Sequence, residues 1–243
     1  MQGIGKTTFA ASAPSPIVIQ TEDGLGTLDV ATFPLAKTYQ DVMDALTVLA
    51  TEPHEFQSVI IDSLDWFEPL VWQHTLRQHP TTEKGVAVAN IDDYGFGKGF
   101  NLATDYWRDY IDALNYLRDQ RSMTIIQIAH TTIKRFDSPE AEPYDRYQIK
   151  LHRAAGGLVL EHSDCVFFAN YRIGTTKTDV GFKKEVRRAI GSGERVLYTQ
   201  ERPAFTAKNR YGLPESRSEE QRLNSSHRCN SYAVFCLKKK KKD

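Results

Sequence analysis

The chain has 243 residues, 40 % of them hydrophobic and 26 % charged, which fits one globular domain. No apolar run approaches the roughly 18 residues of a membrane span, no secretory signal fits the start, and three cysteines exclude a disulfide scaffold and point to a reducing, cytoplasmic setting. Basic and acidic residues number 31 each, but eight basic and three acidic residues lie from Arg217 onward, so the body is mildly acidic, with 23 basic against 28 acidic residues.

The first eight residues, Met1-Gln2-Gly3-Ile4-Gly5-Lys6-Thr7-Thr8, carry the back end of the pattern G-x-x-x-x-G-K-[ST]. The first glycine of that pattern would fall one residue before Met1, and the buried strand that normally precedes such a loop would lie upstream. The expectation is therefore a chain truncated at its N-terminus. Glycines let successive backbone N–H groups turn toward phosphate oxygens, and the helix expected over Thr7 to Ala13 points its positive end at the same place. In this arrangement Gly3, Ile4, Gly5, Lys6, Thr7 and Thr8 cradle a nucleotide. Lys6 reaches the β- and γ-phosphates, and the Thr7 hydroxyl ligates Mg²⁺.

Pro16 to Thr21 (PIVIQT) has the composition of a buried strand, and Glu22 and Asp23 follow it. Strand ends gather on the phosphate side of a parallel sheet, so Glu22 is the candidate to polarise an attacking water, with Asp23 the competitor. Tyr39 to Thr51 spaces Val42, Leu46 and Leu49 as a helix does. Ser58 to Asp62 (SVIID) is an apolar strand ending in an acid, the Walker B form, whose Asp62 can hold magnesium through its water shell. A helix is expected over Leu64 to His79 despite Pro69, then an irregular glycine-rich stretch over Thr81 to Gly99. Leu102 to Gln120 reads as a long amphipathic helix with Tyr106, Tyr110, Leu114 and Leu117 along its buried stripe.

Met123 to Ala129 (MTIIQIA) is another buried strand, ending at His130, a polar residue placed to touch the γ-phosphate. Thr131 to Leu151 is polar, contains Pro139 and Pro143, and is expected to form a long mobile loop. Arg153 to His162 reads as a helix and Cys165 to Tyr171 as a strand. Arg195 to Thr199 and Ala204 to Lys208 are expected to pair as a terminal hairpin. Lys208 and Arg210, two apart, share one face of their strand. The last segment, 217–243, has no helical or strand period and ends in five lysines, which repel one another. Residues 217–237 resemble a frame translation of a sequencing-library adapter, and the lysine run a translated adenine homopolymer. The expected division is thus an ATPase domain over 1–216 and a disordered, non-biological tail over 217–243.

Alternating strands and helices imply an α/β fold with a mostly parallel sheet. The strings GIGKTT, IQTEDG, VIIDS, IAHTTIK and AKNRYGLP, in this order, resemble the RecA-type recombination ATPase core, most of all the phage-encoded ATP-binding proteins linked to single-strand annealing. The resemblance covers about residues 1–215. It implies a RecA-like P-loop core lacking its first strand, with a C-terminal β-hairpin. ATP and Mg²⁺ are the implied cofactors. It maps the catalytic glutamate onto Glu22, the Walker B acid onto Asp62 and the phosphate sensor onto His130. Lys208 and Arg210 map onto cations that act on the neighbouring subunit's nucleotide, which implies a homo-oligomer. The DNA-binding loop maps onto 131–151, where Lys134, Arg135, Arg146 and Lys150 are mixed with Asp137, Glu140, Glu142 and Asp145. The alternatives are a P-loop kinase of a small molecule and an inactive nucleotide-binding fragment. No membrane partner is expected.

Overall fold

Ile17, Ile19, Val59, Ile61 and Ile125 alternate in sequence with Val18, Ile60 and Ile126, and both sets are buried. Strands with two apolar faces need cover on both sides, which is the situation of a parallel sheet between helices. The computed structural model describes residues 3–179, 185–218 and 235–237. Helix α1 (Lys6–Ala10) is followed by β1 (Pro16–Gln20), the short β2 (Ala31–Thr32), α2 (Tyr39–Thr51), β3 (Ser58–Asp62) and α3 (Leu64–Gln78). A 3₁₀ turn over Ile91–Tyr94 lies within the stretch expected to be irregular, and α4 (Lys98–Gln120) and β4 (Thr124–Ile128) follow. Strands β2, β1, β3 and β4 are adjacent in that order and all parallel, with Ile17, Val59 and Ile125 in register.

One face of this sheet packs on α2, α3 and α4 through Leu46, Leu49, Phe67, Trp107, Tyr110, Leu114 and Leu117. The other face, through Val18, Ile60, Ile126 and Ile128, packs on Ala10 of α1. In α4 the buried stripe is centred on Trp107 with Tyr110, Leu114 and Leu117. Tyr106 sits at its border, where its hydroxyl meets His79 Nε2 at 3.2 Å. The start of α2 is fixed by a reciprocal cap: Asp41 N–H donates to Thr38 Oγ1 at 3.1 Å, and Thr38 N–H donates to the Asp41 carboxylate at 3.0 Å.

The long loop expected over 131–151 is instead a β-hairpin of β5 (Thr131–Phe136) and β6 (Tyr144–Ile149), paired from Thr131–Ile149 to Phe136–Tyr144. Its strands are half-exposed and polar on both faces, so they lack the apolar alternation that marks a strand in sequence. After α5 (Arg153–His162), the single strand expected over 165–171 divides at Phe167 into β7 (Cys165–Val166) and β8 (Phe168–Asp179). The expected pairing of 195–199 with 204–208 does not form. Residues 195–198 end a long strand, β9 (Glu185–Tyr198), which pairs with β8 and with β11 (Ser216–Ser218) in a separate three-stranded sheet. Of 204–208 only Lys208 enters a strand, β10 (Lys208–Asn209), which pairs antiparallel with β7 at the edge of the main sheet. Within the segment expected as a tail, 217–218 end β11 and residues 235–237 form β12, antiparallel between β4 and β7. The rest of that segment, its lysine run included, lies outside the described residues. No helix among the described residues is long and apolar enough to cross a membrane.

Candidate nucleotide-binding and catalytic site

The parallel order of β1, β3 and β4 brings their C-terminal ends to one edge, and α1 begins beside them. Gly3 and Gly5 have φ of 70° and 88°, a backbone that a side chain would strain, so the turn into α1 depends on glycine at both positions. Gly3 and Thr8 are exposed, Ile4 is buried, and Gly5, Lys6 and Thr7 are half-buried. Thr7 Oγ1 donates to Asp62 Oδ2 at 2.6 Å across 55 residues of chain, tying the glycine turn to the end of β3. Burial pushes the Asp62 carboxyl up, while the Thr7 hydroxyl and Lys6 oppose that shift. Burial lowers Lys6, while the charges of Asp62, Glu22 and Asp65 work to keep its proton.

The ends of β1 and β3 are locked together. Thr21 N–H donates to Asp62 O at 2.8 Å, Thr21 Oγ1 donates to Ser63 O at 2.6 Å, and Ser63 N–H returns to Thr21 Oγ1 at 2.8 Å. This lock sets Glu22 at the same edge, with Oε1 4.0 Å from His130 Nδ1. Two residues that sequence reading did not place here complete the cluster. Asp65, in the first turn of α3, accepts from His130 N–H at 3.0 Å and from His130 Nδ1 at 3.0 Å, and Lys150 Nζ reaches its other oxygen at 3.4 Å. Burial disfavours the Asp65 charge, yet these His130 bonds hold its carboxyl well below the usual range. An ionised carboxylate only accepts, so Nδ1 is the protonated nitrogen of His130 and Nε2 is left to act elsewhere. The spacing D-S-L-D, an acid three residues beyond the Walker B acid and just inside the following helix, was the available signal for Asp65.

Lys208 and Arg210 are not brought to this edge. Strand β10 is separated from β4 by β7 and β12, three strand spacings or about 14 Å. Lys208 Nζ donates to the carbonyls of Leu160 and Glu161 at 3.0 and 3.1 Å, at the C-terminal end of α5. Arg210 Nη1 meets Asp164 Oδ1 at 2.9 Å, and Tyr211 donates to the same carboxylate.

Glycine turn, Walker-type acid and strand-end carboxylate thus share one edge of the parallel strands. A family model described as AAA domain matches residues 1–211, and the chain belongs to that family. It is a P-loop ATPase-like domain. No curated protein and no solved structure matches the chain.

Proposed function

We propose that this chain binds ATP with Mg²⁺ at the glycine turn and hydrolyses it, as the RecA-like subunit of a homo-oligomer acting on DNA in phage recombination or annealing. The observation that carries the nucleotide reading is the 2.6 Å contact of Thr7 with Asp62. The donor set fits a hard cation: a hydroxyl and a carboxylate, both oxygen, next to a lysine suited to phosphate. Thr7 and Asp62 would hold Mg²⁺, which supplies neutralisation of charge on the phosphate oxygens. Gly3 to Thr8 would hold the phosphates, with Lys6 as their fixed cation.

Glu22 is proposed as the base. It takes a proton from the water whose oxygen attacks the γ-phosphorus, while the bond from that phosphorus to the β–γ bridging oxygen breaks and ADP leaves. His130, held through Nδ1 by Asp65, presents Nε2 as the sensor of the phosphoryl group. The hairpin β5–β6 starts one residue after His130, and Lys150 N–H donates to His130 O at 2.9 Å, so both its ends are rooted in the sensor. Exposed Lys134 and Arg135 make it the proposed contact for single-stranded DNA. Lys208 and Arg210 are proposed to act on the nucleotide of a neighbouring subunit, and the ATPase unit is proposed to span 1–216.

Calorimetry of Mg-ATP binding tests the reading. Lys6→Ala removes a charge-assisted phosphate contact, so affinity is expected to fall roughly 10- to 100-fold. Equal affinity in variant and parent would overturn the site. Phosphate release to water with no acceptor present separates an ATPase from a small-molecule kinase, and no turnover with intact binding separates both from an inactive fragment.

A further inference from the structure

A second cation stands over the glycine turn. A Cβ placed on Gly5 would lie 3.0 Å from Arg195 Nη1 and 4.0 Å from its Cζ, so the guanidinium rests against the backbone immediately before Lys6. Arg195 comes from the last part of β9, far from any sequence motif. Its position follows from a local irregularity. The β8–β9 ladder shifts register between Tyr171 and Ile173, and Gly193, two residues before Arg195, has φ of 74°. Such irregularities re-aim side chains, and are over-represented beside active sites. Past the shift, Arg195 pairs with Tyr171, and Val196 turns its side chain into the core. Arg195 therefore projects from the opposite face of the strand, and it is exposed.

Charge makes this placement meaningful. Asp62, Glu22 and Asp65 all act on Lys6, so the turn already faces three carboxylates before any polyphosphate arrives. One half-buried lysine is a single counter-charge for three carboxylates and a polyphosphate. A guanidinium stays protonated, is planar and forms paired hydrogen bonds to phosphate oxygens.

We infer that Arg195 is a phosphate-binding residue acting in cis, its guanidinium closing over the polyphosphate of a nucleotide held by the turn 3–8 of the same chain. This rests on the nucleotide reading proposed above. It assigns Arg195 a role distinct from that of Lys208 and Arg210, which would come from a neighbour. The end of β9 that carries Arg195 then becomes a wall of the nucleotide site, with β11 buttressing it through pairs from Ser216–Tyr198 to Ser218–Val196.

The test uses the full chain and compares Arg195→Ala, Arg195→Lys and Lys6→Ala in calorimetric binding of Mg-ATP and of inorganic tripolyphosphate. Arg195→Ala is expected to weaken both ligands by a similar factor of roughly 10 or more. Arg195→Lys is expected to recover part of the loss, and the melting temperature of the ligand-free protein to stay that of the parent. A loss for ATP with none for tripolyphosphate would place Arg195 on the nucleoside and overturn the phosphate assignment. Unchanged affinity in Arg195→Ala alongside a loss in Lys6→Ala would overturn this inference and leave the P-loop reading standing. Unchanged affinity in Lys6→Ala would overturn both. A lower melting temperature that fully accounts for weaker binding would reduce Arg195 to a packing residue.

Discussion

Glu22 and Asp62 are both carboxylates at strand ends, and their surroundings differ enough to assign them different work. Asp62 is 5 % exposed and already accepts the Thr7 hydroxyl, a setting for a fixed cation ligand. The Glu22 side chain is 22 % exposed and looks toward His130 at 4.0 Å, a setting in which a water can reach it. Glu22→Gln keeps the shape and removes the base. Nucleotide binding is expected to stay near the parent's while steady-state turnover falls by roughly 10²–10⁴. A larger loss in Asp23→Asn would move the base one residue along. The meeting of Glu22, Asp62 and His130 at one edge was legible because a buried parallel strand advertises its end: VIIDS, IQTE and QIAH each run from apolar to polar where the sheet meets the glycine turn. Asp65 and Arg195 were not legible in that way. Each is defined by a partner distant in sequence, His130 and Gly5, and no periodicity encodes such a meeting.

At the scale of elements, α3 links the site to the start of α5. Glu68, one turn beyond Asp65 and 6 % exposed, accepts His152 N–H with both oxygens, at 2.8 and 3.1 Å. Burial, with the Asp65 charge adding to it, pushes the Glu68 carboxyl up to about 7, while the His152 N–H and the Lys134 charge oppose this. The folded chain thus holds this proton more tightly than the unfolded chain, in which Glu titrates near 4.5. The associated stability is fully present below about pH 4.5 and is lost as pH rises toward about 7. Its size is on the order of 1–3 kcal/mol. His152 shifts downward, chiefly through burial, and acts in the opposite sense, so the parent alone does not isolate Glu68. The difference between parent and Glu68→Gln does. The variant's advantage in melting temperature is expected to grow from pH 5 to pH 7.5, and a constant difference would remove Glu68 as the source. Element boundaries reflect the same division between local and distant causes. The sequence reading of α2, β3 and α5 matches their observed ends because caps and apolar runs lie within them. The β5–β6 hairpin is polar on both strands, and both it and the β8–β9 ladder are specified by pairing partners rather than by a period. The position of β12 between β4 and β7 had no sequence signal.

For the molecule as a whole, the question is what Lys208, in β10, and Arg210, which lies just past the end of that strand rather than on it as expected, can reach. Within the chain, Arg210 meets Asp164 across a surface where its own side chain is 55 % exposed. An exposed ion pair of this kind contributes about 0–1 kcal/mol, so it is readily exchanged for a phosphate. Lys208 sits on the last carbonyls of α5, a favourable place for a cation, and ties β10 to that helix. Both lie three strands from β4 and cannot serve the glycine turn of their own subunit without dismantling the sheet edge. A cation supplied by a neighbour to the transferred phosphoryl group is worth about 10³–10⁵ in rate. The ATPase rate is therefore expected to rise more steeply than linearly with protein concentration, and Arg210→Ala to abolish it while leaving the melting temperature unchanged. The decisive measurement mixes Lys6→Ala with Arg210→Ala, each inactive alone. In a mixed oligomer some interfaces join an intact glycine turn to an intact Arg210, so phosphate release is expected to return in part and to peak near equal proportions. With mixed oligomers verified by differently tagged subunits, an absence of recovery at every ratio would confine Arg210 to its pair with Asp164 and make β10 an edge strand guarded by charge.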